Sequence, residues 1–163
     1  MSIPRRTSAR GKKGKHPVIT EHAVSTATIK GRGGPGDGSG ECPVRRALVV
    51  EDEALICADT ADTFEQQGFV VHTACSGEDA LRRLRDGLCV DILFTDINLA
   101  GAMDGTALAR YARELCPALI VVYTSGAVET VAHGVAGSAF VPKPYSPERV
   151  GRLLRGMCAA GSA

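Results

Sequence analysis

The sequence contains no apolar run near the roughly 18 residues that a membrane-spanning helix needs. Its start, Met1-Ser2-Ile3-Pro4-Arg5-Arg6, lacks the apolar segment of a secretory signal. Membrane insertion and export are both disfavoured. Successive cysteines (Cys42, Cys57, Cys75, Cys89, Cys116, Cys158) are 14 residues or more apart, so no C-x-x-C pair offers zinc or dithiol chemistry. They read as reduced thiols of a cytoplasmic protein. Charge of one sign is also lacking, since the net charge is only +1, yet its distribution is uneven. Met1 to Val44 carries eight Lys/Arg against three Asp/Glu, and the remainder eleven against fifteen.

What is present divides into a leader and one body. The leader, residues 1–44, holds Arg5, Arg6, Arg10, Lys12, Lys13 and Lys15 and eight of the nineteen glycines, a composition that buries too little apolar surface to offset its ordering entropy. It is expected to be disordered, with at most a transient turn or strand in Val18 to Ile29. No aromatic residue interrupts its basic cluster to stack on bases, which argues against nucleic acid. The body, residues 45–159, is followed by a short tail, 160–163, and 163 residues in all suffice for one compact domain.

Within the body, apolar bursts alternate with amphipathic stretches. Ala47-Leu48-Val49-Val50, Phe69 to Thr73, Ile92 to Thr95, Leu119 to Tyr123 and Ala139-Phe140-Val141 read as strands covered on both faces. Between and after them, helices are predicted from Glu53 to Gln67 with Gly68 as the stop, from the Ser76 N-cap with Ala80, Leu81, Leu84 and Leu88 inward, and from Thr106 to Leu115. A last one starts at Ser146-Pro147, with Val150, Leu153, Leu154 and Met157 inward. Only a short helix fits between Ala127 and Gly137. Repeated β-α units with right-handed crossovers predict an α/β fold, a doubly wound five-stranded parallel sheet. Order 2-1-3-4-5, the flavodoxin-like arrangement, puts a ligand crevice between the carboxyl ends of the first and third strands.

Acids occupy both of those ends. Glu51-Asp52-Glu53 follows the first strand and Asp96 follows the third. Converging carboxylates repel unless a cation neutralises them, and an all-oxygen donor set without His or Cys suits a hard ion such as Mg²⁺. Glu53, in a first helical turn, reads as a residue favoured by the helix dipole and not as a ligand. Thr124-Ser125-Gly126 ends the fourth strand with hydroxyls, and Lys143 between Pro142 and Pro144 ends the fifth with an ammonium. Each of these residues has a common structural explanation alone; together they make a site for a metal and a phosphorylated carboxylate.

At these positions the chain resembles the receiver domain of bacterial two-component response regulators. Val49 to Glu53, Asp91 to Leu99, Met103-Asp104-Gly105, Thr124-Ser125-Gly126 and Lys143-Pro144 match that family in order and spacing over about Arg45 to Ala159. The resemblance implies that Asp96 accepts a phosphoryl group from a phosphohistidine of a sensor histidine kinase or histidine phosphotransfer protein. It implies Mg²⁺ on Asp52, Asp96 and the backbone carbonyl of Asn98, with Glu51 acting through water. Lys143 is then the cation that pairs with the phosphoryl group, across a cis Lys143–Pro144 peptide, Ser125 the switch hydroxyl, and Phe140 the aromatic that reports the state. Thr124 also aligns with the switch position, and Gly126 after Ser125 favours Ser125. Asn98 and Ala127 match positions that tune the lifetime of the acyl phosphate.

The chain departs from the family pattern in three places. Glu51 stands where Asp is common. The loop Leu99 to Gly105 lacks the usual proline and is one residue longer than the commonest form, and Ser125 to Lys143 is shorter by about one helical turn. Haloacid dehalogenase phosphatases also use a strand-end Asp as acceptor, but need a second Asp two residues on, where this chain has Asn98. A degenerate receiver that docks partners without phosphorylation is the other alternative. The expectation is a stand-alone receiver with no DNA-binding or enzymatic output module, acting by protein contact.

Overall fold

The computed structural model describes residues 45–126 and 134–160. The leader expected to be disordered, most of the short helix expected between Ala127 and Gly137, and residues 161–163 lie outside the described residues. Five strands, β1 (Arg46–Val50), β2 (Val70–Ala74), β3 (Ile92–Asp96), β4 (Ile120–Ser125) and β5 (Ala139–Pro142), form one parallel sheet in the order β2-β1-β3-β4-β5. The described helices are α1 (Ala54–Gln66), α2 (Gly77–Arg85), α3 (Gly105–Leu115) and α4 (Pro147–Ala160). Strand order and helix placement agree with the pattern of apolar bursts. None of the described helices is long and apolar enough to cross a membrane.

The continuous apolar runs of β1, β3, β4 and β5 have a direct cause, because these strands are covered on both faces and the period of two divides each between two cores. The second burst, expected to be covered likewise, is not: β2 lies at the sheet edge, with Val70 and Thr73 exposed and only Ala74 buried. Leu48, Val50, Leu93, Val121, Tyr123 and Phe140 face α2 and α3. Ala47, Val49, Ile92, Phe94, Val122, Ala139 and Val141 face α1 and α4, where Phe64, Val150, Leu154 and Cys158 meet them. On α4 the inward side chains described are Val150, Leu154 and Cys158, with Leu153 only half-buried, while the side chain of Met157 lies outside those described. None of the described cysteines, Cys57, Cys75, Cys89, Cys116 and Cys158, is in a disulfide.

Helix ends follow the local chemistry. Gly68 takes φ +91° after α1, a left-handed conformation that glycine adopts without a Cβ penalty. The Ser76 hydroxyl accepts the Asp79 amide at 3.1 Å and caps α2. Asp104 caps α3, its Oδ1 accepting the Ala107 amide and the Thr106 hydroxyl, each at 2.7 Å. Burial acts to raise the Asp104 pKa, but these bonds outweigh it and hold the carboxyl below its ordinary value of 3.8. A depressed folded-state pKa means stabilisation that is complete above the unfolded value and lost as pH falls through the folded one. Asp104→Ala should lower the unfolding free energy by about 1 kcal/mol at pH 7. In urea titrations followed by circular dichroism, the gap from wild type should narrow below about pH 4.

Candidate functional site

Register and strand parity assemble the site. Val50 pairs with Thr95 across β1 and β3, so Glu51 and Asp96, one residue further along, end neighbouring strands at the same level. Alternation continues from Val49 to Glu51, from Phe94 to Asp96 and from Val141 to Lys143, all on the α1/α4 side of the sheet. Lys143 Nζ donates to Glu51 Oε2 at 2.8 Å and to Asp96 Oδ2 at 2.5 Å. Both carboxylates are withdrawn from water, at 3% and 6% relative exposure, whereas Asp52 is exposed. Carboxylate oxygens of Glu51, Asp52 and Asp96 lie within 4.8 Å of one another. The Lys143–Pro144 peptide is cis.

The electrostatics follow from that packing. Desolvation raises the Glu51 pKa above its ordinary value, and the hydrogen bond and charge of Lys143 only partly oppose it. For Lys143, desolvation acts downward, but hydrogen bonds to Asp96 and Glu51 and their charges prevail, and its pKa is raised. Three ionised acids against one ammonium leave a formal excess of two negative charges, which a divalent cation would balance. The donor set is oxygen only, as hard ions require, and one of its members faces solvent, so the residues fit Mg²⁺.

Hydrogen bonds lead from Asp96 to the fourth strand. Asp96 Oδ1 accepts the Asn98 amide at 2.9 Å, and Asn98 Nδ2 donates to Ser125 Oγ at 3.0 Å. The carbonyl of Ser125 accepts the Lys143 amide at 2.9 Å, which ties β4 to β5 beside the ammonium. Thr124 is the register partner of Asp96, buried, with a hydroxyl that has no partner among the described residues. Ser125 is thus the hydroxyl linked through Asn98 to Asp96. Phe140 stands apart from the acids, fully buried in the α2/α3 core opposite its register partner Tyr123. Tyr123 in turn accepts the Val135 amide on its hydroxyl at 3.2 Å. Glu53 is exposed at the N-cap of α1, makes no side-chain cap bond and lies outside the acid cluster. Ala127 lies outside the described residues.

Some contributors carried no legible signal. A Cβ on Gly105 would stand 2.0 Å from the Asp96 carbonyl oxygen, so the start of α3 packs onto the backbone of Asp96 itself. The Thr95 hydroxyl donates to that same carbonyl at 2.8 Å. The Tyr145 ring meets Phe94 edge-on at 5.5 Å, and burial raises its pKa. Gly105 was visible only as part of Met103-Asp104-Gly105, and Tyr145 only as the residue after Pro144.

The family model of the response regulator receiver domain matches residues 47–155, two thirds of the chain. Among curated proteins, sensor kinase CckA of Brucella abortus is 32% identical over 115 residues, covering 68% of this chain and 12% of that protein. Transcriptional regulatory protein TcrA of Mycobacterium tuberculosis is 29% identical over 137 residues, covering 82% of this chain and 54% of TcrA. The chain thus spans about half, or much less, of the length of these relatives. A response regulator receiver protein of Sinorhizobium medicae superposes with a TM-score of 0.66 at 29% identity, covering 74% of this chain and 99% of that one. A receiver domain from Methanospirillum hungatei, at 21% identity and a TM-score of 0.64, shares the fold.

Gly105→Ala tests the close approach under Asp96. The added methyl should cost about 1–3 kcal/mol in urea unfolding, because the clash is with backbone and cannot relax through a side chain. It should also displace Asp96, which would show as altered chemical shifts of the Asp96 and Asn98 amides.

Proposed function

This chain belongs to the response regulator receiver domain family, and from that premise we propose that Asp96 is its phosphoacceptor. Receiver domains are phosphoacceptor signalling domains that interact with histidine kinases and bind Mg²⁺ at an acidic pocket. In this reading a carboxylate oxygen of Asp96 attacks the phosphorus of a phosphohistidine on a sensor histidine kinase or histidine phosphotransfer protein. The O–P bond forms as the P–N bond breaks, and the imidazole leaves. The observation that carries the proposal is the bridge of Lys143 between Glu51 and Asp96 inside a cluster of three carboxylates.

Each group then has a task. Lys143 orients Asp96 Oδ2 and offsets the charge of the incoming phosphoryl group. The Asn98 amide fixes the other carboxylate oxygen, and the Asn98 side chain keeps the Ser125 hydroxyl near the reacting oxygens. Mg²⁺, held by Asp52, Asp96 and the Asn98 carbonyl with Glu51 through water, would neutralise charge on the transferring oxygens. Once formed, the acyl phosphate offers acceptor oxygens that draw the Ser125 hydroxyl from Asn98, and Phe140, behind it in β5, reports the change. Output in this reading is a protein contact at the surface of β4 and β5, the reaction is cytoplasmic, and residues 45–159 are the working unit.

Incubation with acetyl phosphate and Mg²⁺ should yield one hydroxylamine-labile phosphoryl group per chain in wild type and none in Asp96→Asn. Incorporation that survives the substitution defeats the assignment. Removal of residues 1–44 should leave both incorporation and the thermal midpoint unchanged; loss of either would show that the leader is part of the working unit.

A further inference from the structure

The loop joining β3 to α3, residues 97–104, brings Asn98 and the Ala100 amide to the acid cluster without a proline to stiffen it. It is held instead by anchors at both ends. At its base the Gly105 amide donates to the Ile97 carbonyl at 2.9 Å. On its far side Glu78, in the first turn of α2, accepts the Ala102 amide at 2.8 Å and the Met103 amide at 3.0 Å on one oxygen, Oε1. Gly77 lets the helix come this near, since a Cβ there would stand 2.8 Å from the Met103 carbonyl oxygen. Gly101, at φ +118°, turns the chain against the Glu78 carboxylate.

Between the two anchors the loop serves the acids. The Ala100 amide donates to Asp52 Oδ2 at 3.3 Å and the Asn98 amide to Asp96 Oδ1 at 2.9 Å. An exposed first-turn glutamate that served only the helix dipole would leave the Ala102 and Met103 amides to water. Here its own amide and that of Ala102 hold the Glu78 carboxyl below its ordinary pKa, so the acceptor is the ionised form, whose hydrogen bonds are the stronger kind.

We propose that Glu78 is a positioning residue for the cation pocket: by clamping Ala102 and Met103 it sets the loop whose Ala100 and Asn98 amides orient Asp52 and Asp96. The proposal rests on the reading of that pocket as a receiver's Mg²⁺ site. The carboxylate takes over from outside the loop the restraint that proline would supply from within, which suits a loop one residue longer than usual. Groups that orient metal ligands through hydrogen bonds typically change metal affinity by 10–100-fold when removed.

The test compares wild type with Glu78→Ala, Glu78→Gln and Glu78→Asp, using Mg²⁺ alone as the titrant in calorimetry and amide hydrogen exchange as an independent readout. Glu78→Ala should weaken Mg²⁺ binding about tenfold and speed exchange at Ala102 and Met103. Glu78→Gln, whose amide oxygen still accepts, should recover most of both. Glu78→Asp, too short to reach, should behave like the alanine variant. With acetyl phosphate, half-saturation in Mg²⁺ should move while incorporation at saturating Mg²⁺ stays at the wild-type level. Unchanged Mg²⁺ affinity in Glu78→Ala, or recovery by Asp and not by Gln, overturns the assignment. Failure of the receiver reading is seen separately. If wild type binds Mg²⁺ but is not phosphorylated at Asp96, that reading falls while the affinities still judge Glu78.

Discussion

Two carboxylates withdrawn from water at neighbouring strand ends cannot stay ionised side by side without a counter-charge, and in this chain Lys143 supplies it to both. The bridge joins the first, third and fifth strands through side chains, although β5 is hydrogen-bonded only to β4 within the sheet. With Asp52 added, the cluster carries a formal excess of negative charge, so the same arrangement that holds the strand ends together has a charge balance that one divalent cation would complete. Stability and cation demand are therefore two aspects of one charge balance. The raised pKa of Glu51 reflects chiefly its burial, with the neighbouring Asp96 charge a smaller contribution in the same direction.

The rest of the fold can be read as what makes this convergence possible. Parallel pairing in the order β2-β1-β3-β4-β5 puts β1 beside β3, and strand parity then carries Glu51, Asp96 and Lys143 to the same side of the sheet. The α1/α4 core beneath them is filled by Phe64, Phe94 and Tyr145, whose rings meet edge-on at 5.5 Å. Around the rim, hydrogen bonds run from Asp96 through Asn98 to Ser125, and from Ser125 back to the Lys143 backbone. Asp96 is thus linked directly to Lys143 after β5 and through Asn98 to Ser125 on β4, one residue from Thr124 and two from Tyr123.

Much of this was legible before any coordinates. Continuous apolar bursts, Gly68 and Ser76 as helix punctuation, and the acids after Val50 and Thr95 are local features, and a βα alternation restricts the topology enough to bring strand ends together. What stayed hidden depends on chain segments far apart in sequence. Glu78 reads as a dipole-favourable acid until the β3–α3 loop, more than twenty residues on, folds against it. The demand for glycine at 105 arises from the Asp96 carbonyl nine residues earlier, and no pattern of residue types encodes a 2.0 Å approach. On α4 the inward row continues to Cys158, a small apolar residue that a periodicity built on larger side chains passes over.

The central claim is that the charge deficit at the strand ends is a cation site shared by Asp52 and Asp96. Calorimetric titration of Mg²⁺ into wild type and Asp52→Asn addresses it most directly. The account predicts saturable binding at a single site in wild type and marked weakening in the variant. Absence of saturable binding in wild type at millimolar Mg²⁺, or equal affinity in the two proteins, would contradict it.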